Sequence, residues 1–487
     1  MSRHGNAGSA QLQRLAPTDL AVLWPEDHGW PQDVGLLAIL DGASLHDADG
    51  RFRSDVVRRS VAGRLLTLPP RFRKRLVRPP LGLGGPYWVD HPEIDVAAHV
   101  REMAVPAPGD EAALLRTCER LRRRGLDRAR PLWQLTLLTG LDGGRVALFL
   151  QAHHCVVDGM SGIVAFLAFV DVAGQRTAAP TAVAEDGRAP AARAVPGDRA
   201  ALRPSPAPST AALLGDALRR RARGVVRVLS AAAHPRASWI RVTTDVRRWR
   251  AATDGELAAS TSLNRRAIGR DRRMVLVRGD LAAVKAAAHA HRATVNDVLL
   301  SAVAGGLRAL LTARGEAVDD LVLRAAVPVA LHHGDGAAAE GNADGGLLLH
   351  LPVGEADDLA RLGRLALHTA QRKRTAVLSG ATSGAFATPA LQRLLIRLTA
   401  RQRMSNTYVA NVAGPPVRLS LAGAPILEMF PVVPLLGNIS VGVGALSYAG
   451  QFNIAVVADR DACPDVDVAA AGIGRSLAAM VTAIAAP

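Results

Sequence analysis

The chain has 487 residues, 49% of them hydrophobic and 21% charged, which is too long for one ordinary domain and too apolar for wholesale disorder, so two folded units are expected. A net charge of +16 (59 basic against 43 acidic residues) attracts polyanions, phosphorylated cofactors and anionic lipid alike; the basic residues are spread out, with no zinc-finger spacing or aromatic-studded basic motif, which argues against specific nucleic-acid recognition. Three widely spaced cysteines make neither a disulfide framework nor a zinc site, and aromatics at 3% leave the cores to Val, Leu, Ile and Ala.

Residues 1–14 are polar and read as a flexible N-terminus without a secretory signal, which together with the cysteine usage suits a reducing cytoplasm. Residues 15–173 form the first expected unit, with strands over 35–40 and 145–152 and a helix over 111–124. Residues 174–260 read as a linker, rich in Ala, Pro, Arg and Gly up to about 208. Within it, 210–230 carries Leu213, Leu214, Leu218, Val225, Val226 and Leu229 in helical spacing beside Arg219, Arg220, Arg221, Arg223 and Arg227. Such a helix either lies on an anionic lipid surface or bridges the units with a solvated basic face, and Gly224 is expected to weaken it.

The second unit, 261–487, is predicted to hold strands over 273–277, 321–329, 347–351, 408–412, 439–447 and 451–458. Helices are predicted over 281–291, 295–313, 356–371, 389–401 and 469–485. The uncharged stretch 429–450 is long enough to span a membrane, but Pro431, Pro434, Asn438 and several glycines make it buried strands and turns. Strands and helices alternate in both halves, so the fold class is α/β or α+β with helix-covered sheets.

The chemistry sits at the end of the 145–150 strand. It delivers His153 and His154 to a turn, followed by Asp158-Gly159 and an apolar run over 160–170 that can be a helix. A histidine facing a cleft can take and return a proton near neutrality. Metal binding is the weaker reading, because vicinal side chains diverge and no Glu stands at the HExxH spacing. A Cys155–His154 nucleophilic pair is weaker too, since neighbours on an extended segment face opposite ways. A purely structural histidine pair stays open on composition alone.

His153-His154-Cys155-Val156-Val157-Asp158-Gly159 matches the HHxxxDG motif of the coenzyme A-dependent acyltransferases. The surrounding blocks resemble the bacterial wax ester synthase/diacylglycerol acyltransferase family. Leu15-Ala16-Pro17-Thr18-Asp19 is similar to its opening Leu-x-Pro-x-Asp, and Arg130-Pro131-Leu132-Trp133 to its Pro-Leu-Trp block. Thr294-Val295-Asn296-Asp297-Val298 is similar to its Asn-Asp-Val segment, Asn411-Val412-Ala413-Gly414-Pro415 to its Ser-Asn-Val-Pro-Gly-Pro turn, and Ser447-Tyr448-Ala449-Gly450 to its terminal strand pair.

The resemblance implies two chloramphenicol-acetyltransferase-like domains, each a mixed sheet with helices, and an active site in the cleft between them that is reached by a tunnel from each face. It implies His154 as general base, His153 ordering the turn, Asp158 holding the loop through an ion pair, and Gly159 giving the substrate close access to the backbone. Asn296 would orient the site or polarise the carbonyl, against a plain helix N-cap reading, and Trp133 would be packing. Acyl-CoA is implied as co-substrate with no further cofactor, and diacylglycerol or a long-chain alcohol as acceptor, at a membrane or lipid-droplet surface. Gln134, where the family often has Glu, and Ala410 and Ala413, in place of Ser and Pro, depart from the pattern and bear on acceptor preference.

Overall fold

The computed structural model describes residues 12–157 (83 excepted), 162, 165–172, 207–234, 256–330, 344–375, 394 and 396–485, with scattered positions between 236 and 247. Asp158, Gly159, most of the expected linker and parts of the helices expected over 160–170 and 389–401 lie outside the described residues.

The described strands of the first half are β1 (Gln13–Arg14), β2 (Asp33–Asp41), β3 (Lys74–Val77), β4 (Tyr87–Asp90), β5 (Val100–Ala104), β6 (Trp133–Thr139), β7 (Arg145–His153) and β8 (Asp171–Val172). Those of the second half are β9 (Arg272–Asp280), β10 (Val322–Ala330), β11 (Asp344–Pro352), β12 (Thr407–Ala413), β13 (Leu419–Leu421), β14 (Ala424–Val432), β15 (Val441–Tyr448) and β16 (Gln451–Asp459). They form a seven-stranded sheet in the order β5-β6-β7-β2-β14-β13-β8, a six-stranded sheet β11-β10-β12-β15-β16-β9 and a small sheet β1-β4-β3. Both large sheets mix parallel with antiparallel pairs, as β5 with β6 and β12 with β15 run parallel.

Two pairings cross the expected division of the chain. β14, from the second half, adds antiparallel to β2 with Met429 opposite Ala38 and Val432 opposite Gly35, and β13 pairs with β8. The run 419–432 therefore completes the first sheet, and its apolar Met429, Phe430 and Val432 join the first core. The expected strands and turns of 429–450 are β14, β15 and the segment between them.

Helix ends follow readable caps. Asp110 accepts the Ala113 N–H at 2.7 Å to start the helix Glu111–Arg124, and Gly125 ends it at φ 72°, where a side chain would be strained. In the helix Val295–Ala313 a capping box joins Thr294 and Asp297, the Thr294 hydroxyl accepting from Asp297 N at 3.2 Å and the carboxylate accepting from Thr294 N at 2.8 Å. This helix buries Val298, Leu299, Val303, Leu307 and Leu311 in the second core. It meets the helix Val466–Ala485 so closely at Gly306 that a Cβ there would stand 2.5 Å from the Ala469 carbonyl oxygen.

The helix Glu111–Arg124 also fastens the two halves together. Buried Arg122 donates to the Asp33 carboxylate at 3.0 Å and to the Val433 carbonyl at 3.3 Å, while Glu119 accepts the Met274 N–H at 2.9 Å and an Arg460 N–H at 2.8 Å. A basic helix runs over Thr210–Ala233. It continues through Gly224, contrary to the weakening expected there. The roughly 1 kcal/mol that a glycine costs is spread over a 24-residue helix rich in Ala, Leu and Arg.

Candidate active site

β7 is buried from Val146 to His153 between β2 and β6, and its end is tied to both neighbours. The His153 N–H donates to the Leu132 carbonyl and the His154 N–H to the Gln32 carbonyl, each at 2.9 Å. The chain then turns sharply, with Val156 N donating to His153 O at 2.8 Å. Backbone bonds of this kind fix where the two imidazoles leave the sheet.

The two rings part company. His153 is 1% exposed; its Nδ1 accepts the Cys155 N–H at 3.0 Å, and its Nε2 faces Glu26 Oε1 at 3.2 Å. A nitrogen that accepts an N–H carries no proton, so the ring proton is assigned to Nε2, toward the carboxylate. Burial alone would raise the Glu26 pKa, but the contacts with His153 and Arg128 outweigh it and bring it down to about 2. His154, half-buried, instead lines a cavity of about 180 Å³.

That cavity lies where the two large sheets meet. β2, β7 and β14 supply Gly35, Leu150, Ala152 and Val432 on one side, and β10, β12 and β15 supply Pro328, Ala410, Val412 and Gly444 on the other. The wall is mostly apolar, and Tyr408 and Asn411 join His154 as its polar side chains. At Gly444 a Cβ would come within 2.9 Å of Val433 Cγ1 and 3.2 Å of Pro431 Cγ, so the glycine lets β15 approach the 431–433 segment closely at the edge of the cavity.

A buried ion pair supports the turn from behind. Arg71 donates to both oxygens of Asp19, at 3.0 and 3.1 Å, and to the Cys155 carbonyl at 2.7 Å. Asp19 is fully buried, and the guanidinium stacks 5.4 Å over the Trp88 ring. The aspartate of the Leu-x-Pro-x-Asp block is thus linked through Arg71 to the histidine turn.

Of the residues singled out in the sequence, His154 lines the cavity and His153 sits behind it. Cys155 is fully buried and is not among the cavity-lining residues. Asn296 is the second residue of its helix and Thr294 is the cap, so the N-cap reading of Asn296 does not hold; Asn296 is not among the lining residues either. Trp133 is packing, stacked 4.3 Å from His99 with its Nε1 donating to the Phe72 carbonyl at 2.9 Å. Ala410 lines the cavity, and Gln134 donates to Thr136 Oγ1 at 3.2 Å. The sequence reading missed Glu26, Gln32 and Arg71; only Asp19 hinted at the last, and Gln32 acts on His154 through its backbone, which no side-chain pattern reports.

Two mixed sheets that meet over an apolar cavity, with one ring of a His-His turn opening into it, define an acyltransferase of the chloramphenicol-acetyltransferase-like class. The chain belongs to the wax ester synthase/diacylglycerol acyltransferase family: the model of that family's catalytic domain matches residues 15–299 and the model of its C-terminal domain matches residues 340–481. A probable diacylglycerol O-acyltransferase of Mycobacterium tuberculosis, tgs1, is 29% identical over 462 residues, covering 92% of this chain and 91% of its own. A putative diacylglycerol O-acyltransferase of the same species is 31% identical over 465 residues, 92% of each chain. Among solved structures, the wax ester synthase/diacylglycerol acyltransferase of Marinobacter aquaeolei VT8 superposes with a TM-score of 0.67 at 22% identity, covering 97% of this chain and all of that one (100%). The first condensation domain of the calcium-dependent antibiotic synthetase shares the fold at a TM-score of 0.54 and 19% identity, covering 100% of this chain and 98% of that one.

Proposed function

We propose that this protein transfers a long-chain acyl group from acyl-CoA to the hydroxyl of diacylglycerol or of a long-chain alcohol, with His154 as general base. The observation that carries the reading is the His154 ring lining an apolar cavity between the sheets. The imidazole takes the acceptor's hydroxyl proton as the oxygen attacks the thioester carbonyl; the C–S bond breaks, and the imidazolium returns the proton to the leaving thiolate. An ester and free CoA result, with no redox change. Apolar walls suit both lipid tails, since burial contributes roughly 0.8 kcal/mol per methylene.

The neighbouring residues take supporting roles. His153 orders the turn through Cys155 and Glu26. Asp158 holds the loop that follows, and Gly159 lets the thioester lie close to the backbone. Asn296, which is not among the cavity-lining residues, is assigned the orienting role rather than contact with the carbonyl. We place the reaction in the cytoplasm at a lipid surface, the inner membrane face or a droplet, because acceptor and product are both insoluble in water.

Assay of the purified protein with palmitoyl-CoA against diacylglycerol, a long-chain alcohol and polar acceptors tests the reading. Neutral ester is expected, and His154→Ala should lower kcat by about 10²- to 10⁴-fold with KM for acyl-CoA little changed. Turnover confined to sugar, polyketide or amine acceptors would replace the acceptor assignment, and unchanged kcat in the variant would remove the base.

A further inference from the structure

The helix Thr210–Ala233 presents two different faces. Its first turns are docked: Leu213, Asp216 and Ala217 are buried, and the Asp216 carboxylate accepts from Arg14 Nε at 2.9 Å and from the Tyr87 hydroxyl at 2.6 Å. Beyond them the opposite face is open. Leu218, Val225 and Leu229 are 56%, 57% and 63% exposed, and with exposed Ala222 their spacing of four, three and four residues forms one continuous stripe. On a 100° wheel Arg221 flanks the stripe on one side, exposed Val226 and then Arg219 border it on the other, and Arg223 lies further round toward the docked face, all of them exposed. Asp216 is the only acid in the helix, and it is consumed by docking.

An exposed apolar stripe bordered by arginines is the pattern of a helix lying in a bilayer interface, its aliphatic face among the acyl chains and its guanidinium groups at the headgroups. We infer, resting on the lipid-surface reading above, that the exposed stripe Leu218, Ala222, Val225 and Leu229 with its bordering arginines is the docking element of this enzyme for an anionic lipid bilayer. Charge complementarity selects this occupant. A second copy of the helix would bring arginines against arginines. A nucleic acid would use the arginines and leave the leucine and valine side chains in water. The placement also serves the reaction: the helix is held by Tyr87 of β4, the next residue, Trp88, stacks under Arg71, and Arg71 holds the Cys155 carbonyl of the histidine turn.

Vesicle flotation of the full chain tests this, using phosphatidylcholine vesicles and mixed phosphatidylcholine–phosphatidylglycerol vesicles. Binding to the anionic vesicles is expected, weakened by salt, and reduced at least about tenfold by either of two triple variants, Leu218→Ser with Val225→Ser and Leu229→Ser, or Arg219→Gln with Arg221→Gln and Arg223→Gln. All six side chains are exposed, so unchanged thermal unfolding is expected to show that the fold is intact. Both variants should keep turnover on detergent-dispersed substrates, which separates this outcome from failure of the His154 reading. Equal binding to both vesicle types, or loss in the arginine variant alone, would overturn the inference; so would a dimer in sedimentation that the serine variant dissolves.

Discussion

The two walls of the cavity are built on opposite principles. On the first sheet the histidine turn is overdetermined, with backbone bonds to the strand ends on both sides, a carboxylate behind His153, and the Arg71 guanidinium on the Cys155 carbonyl. On the second sheet Pro328, Ala410, Gly444 and Ala445 are small residues that contribute room, with Tyr408 and Asn411 of β12 as the polar side chains among them. Chemistry is held by rigidity on one side, and substrate is admitted by small side chains on the other.

The difference predicts where damage is structural and where it is selective. Arg71→Leu should cost the most stability, about 3–5 kcal/mol, because it leaves the fully buried Asp19 carboxylate without its cation; urea unfolding measures it, and a loss under 1 kcal/mol would mean the turn is held without that pair. Glu26→Gln should come next. The Glu26 pKa falls from 4.5 to about 2 on folding, so its contribution is present above about pH 4.5 and is lost as pH falls through about 2. At 1.36 kcal/mol per pH unit the upper bound is about 3 kcal/mol, reached only with His153 charged, since part of the shift comes from its charge. Wild type and variant should therefore differ near neutrality and converge in strong acid, and a gap independent of pH would assign the loss to packing.

On the opposite wall the effects should appear in selectivity. Ala410→Leu, at a residue lining the cavity, should reduce kcat/KM for long acyl chains by about tenfold, with a smaller loss for short ones, as overpacking typically costs about 1–3 kcal/mol; an equal loss for all chain lengths would mean the sheet itself has shifted. Smallest is Asn296→Ala, expected to lower kcat by less than about tenfold, since that residue lies outside the cavity lining. A loss of about 10²-fold or more would put its amide at the reacting carbonyl.

The sequence reports local features well and long-range partners poorly, and the reasons are physical. The helices Glu111–Arg124 and Val295–Ala313 were readable to the residue because their capping groups lie within three residues of the ends they serve. His154 was readable because strand, turn and motif coincide. Of β14 only the part from Met429 on fell within a stretch expected to hold buried strands and turns, and alternation says nothing about a partner such as β2 nearly four hundred residues earlier. Glu26 and Arg71 were invisible for the same reason: each is a single charged residue whose meaning comes from a group it meets only in the folded chain. Asp158 and Gly159 rest on the motif.

The most direct measurement of the central claim is a matched product analysis by mass spectrometry. Wild type and His154→Ala, shown to unfold at the same temperature, are each incubated with acyl-CoA and a mixture of diacylglycerol and long-chain alcohols. The account predicts triacylglycerol or wax ester from the wild type and an initial rate of formation lower by about 10²-fold or more from the variant. Neutral ester at the wild-type rate from His154→Ala would contradict it.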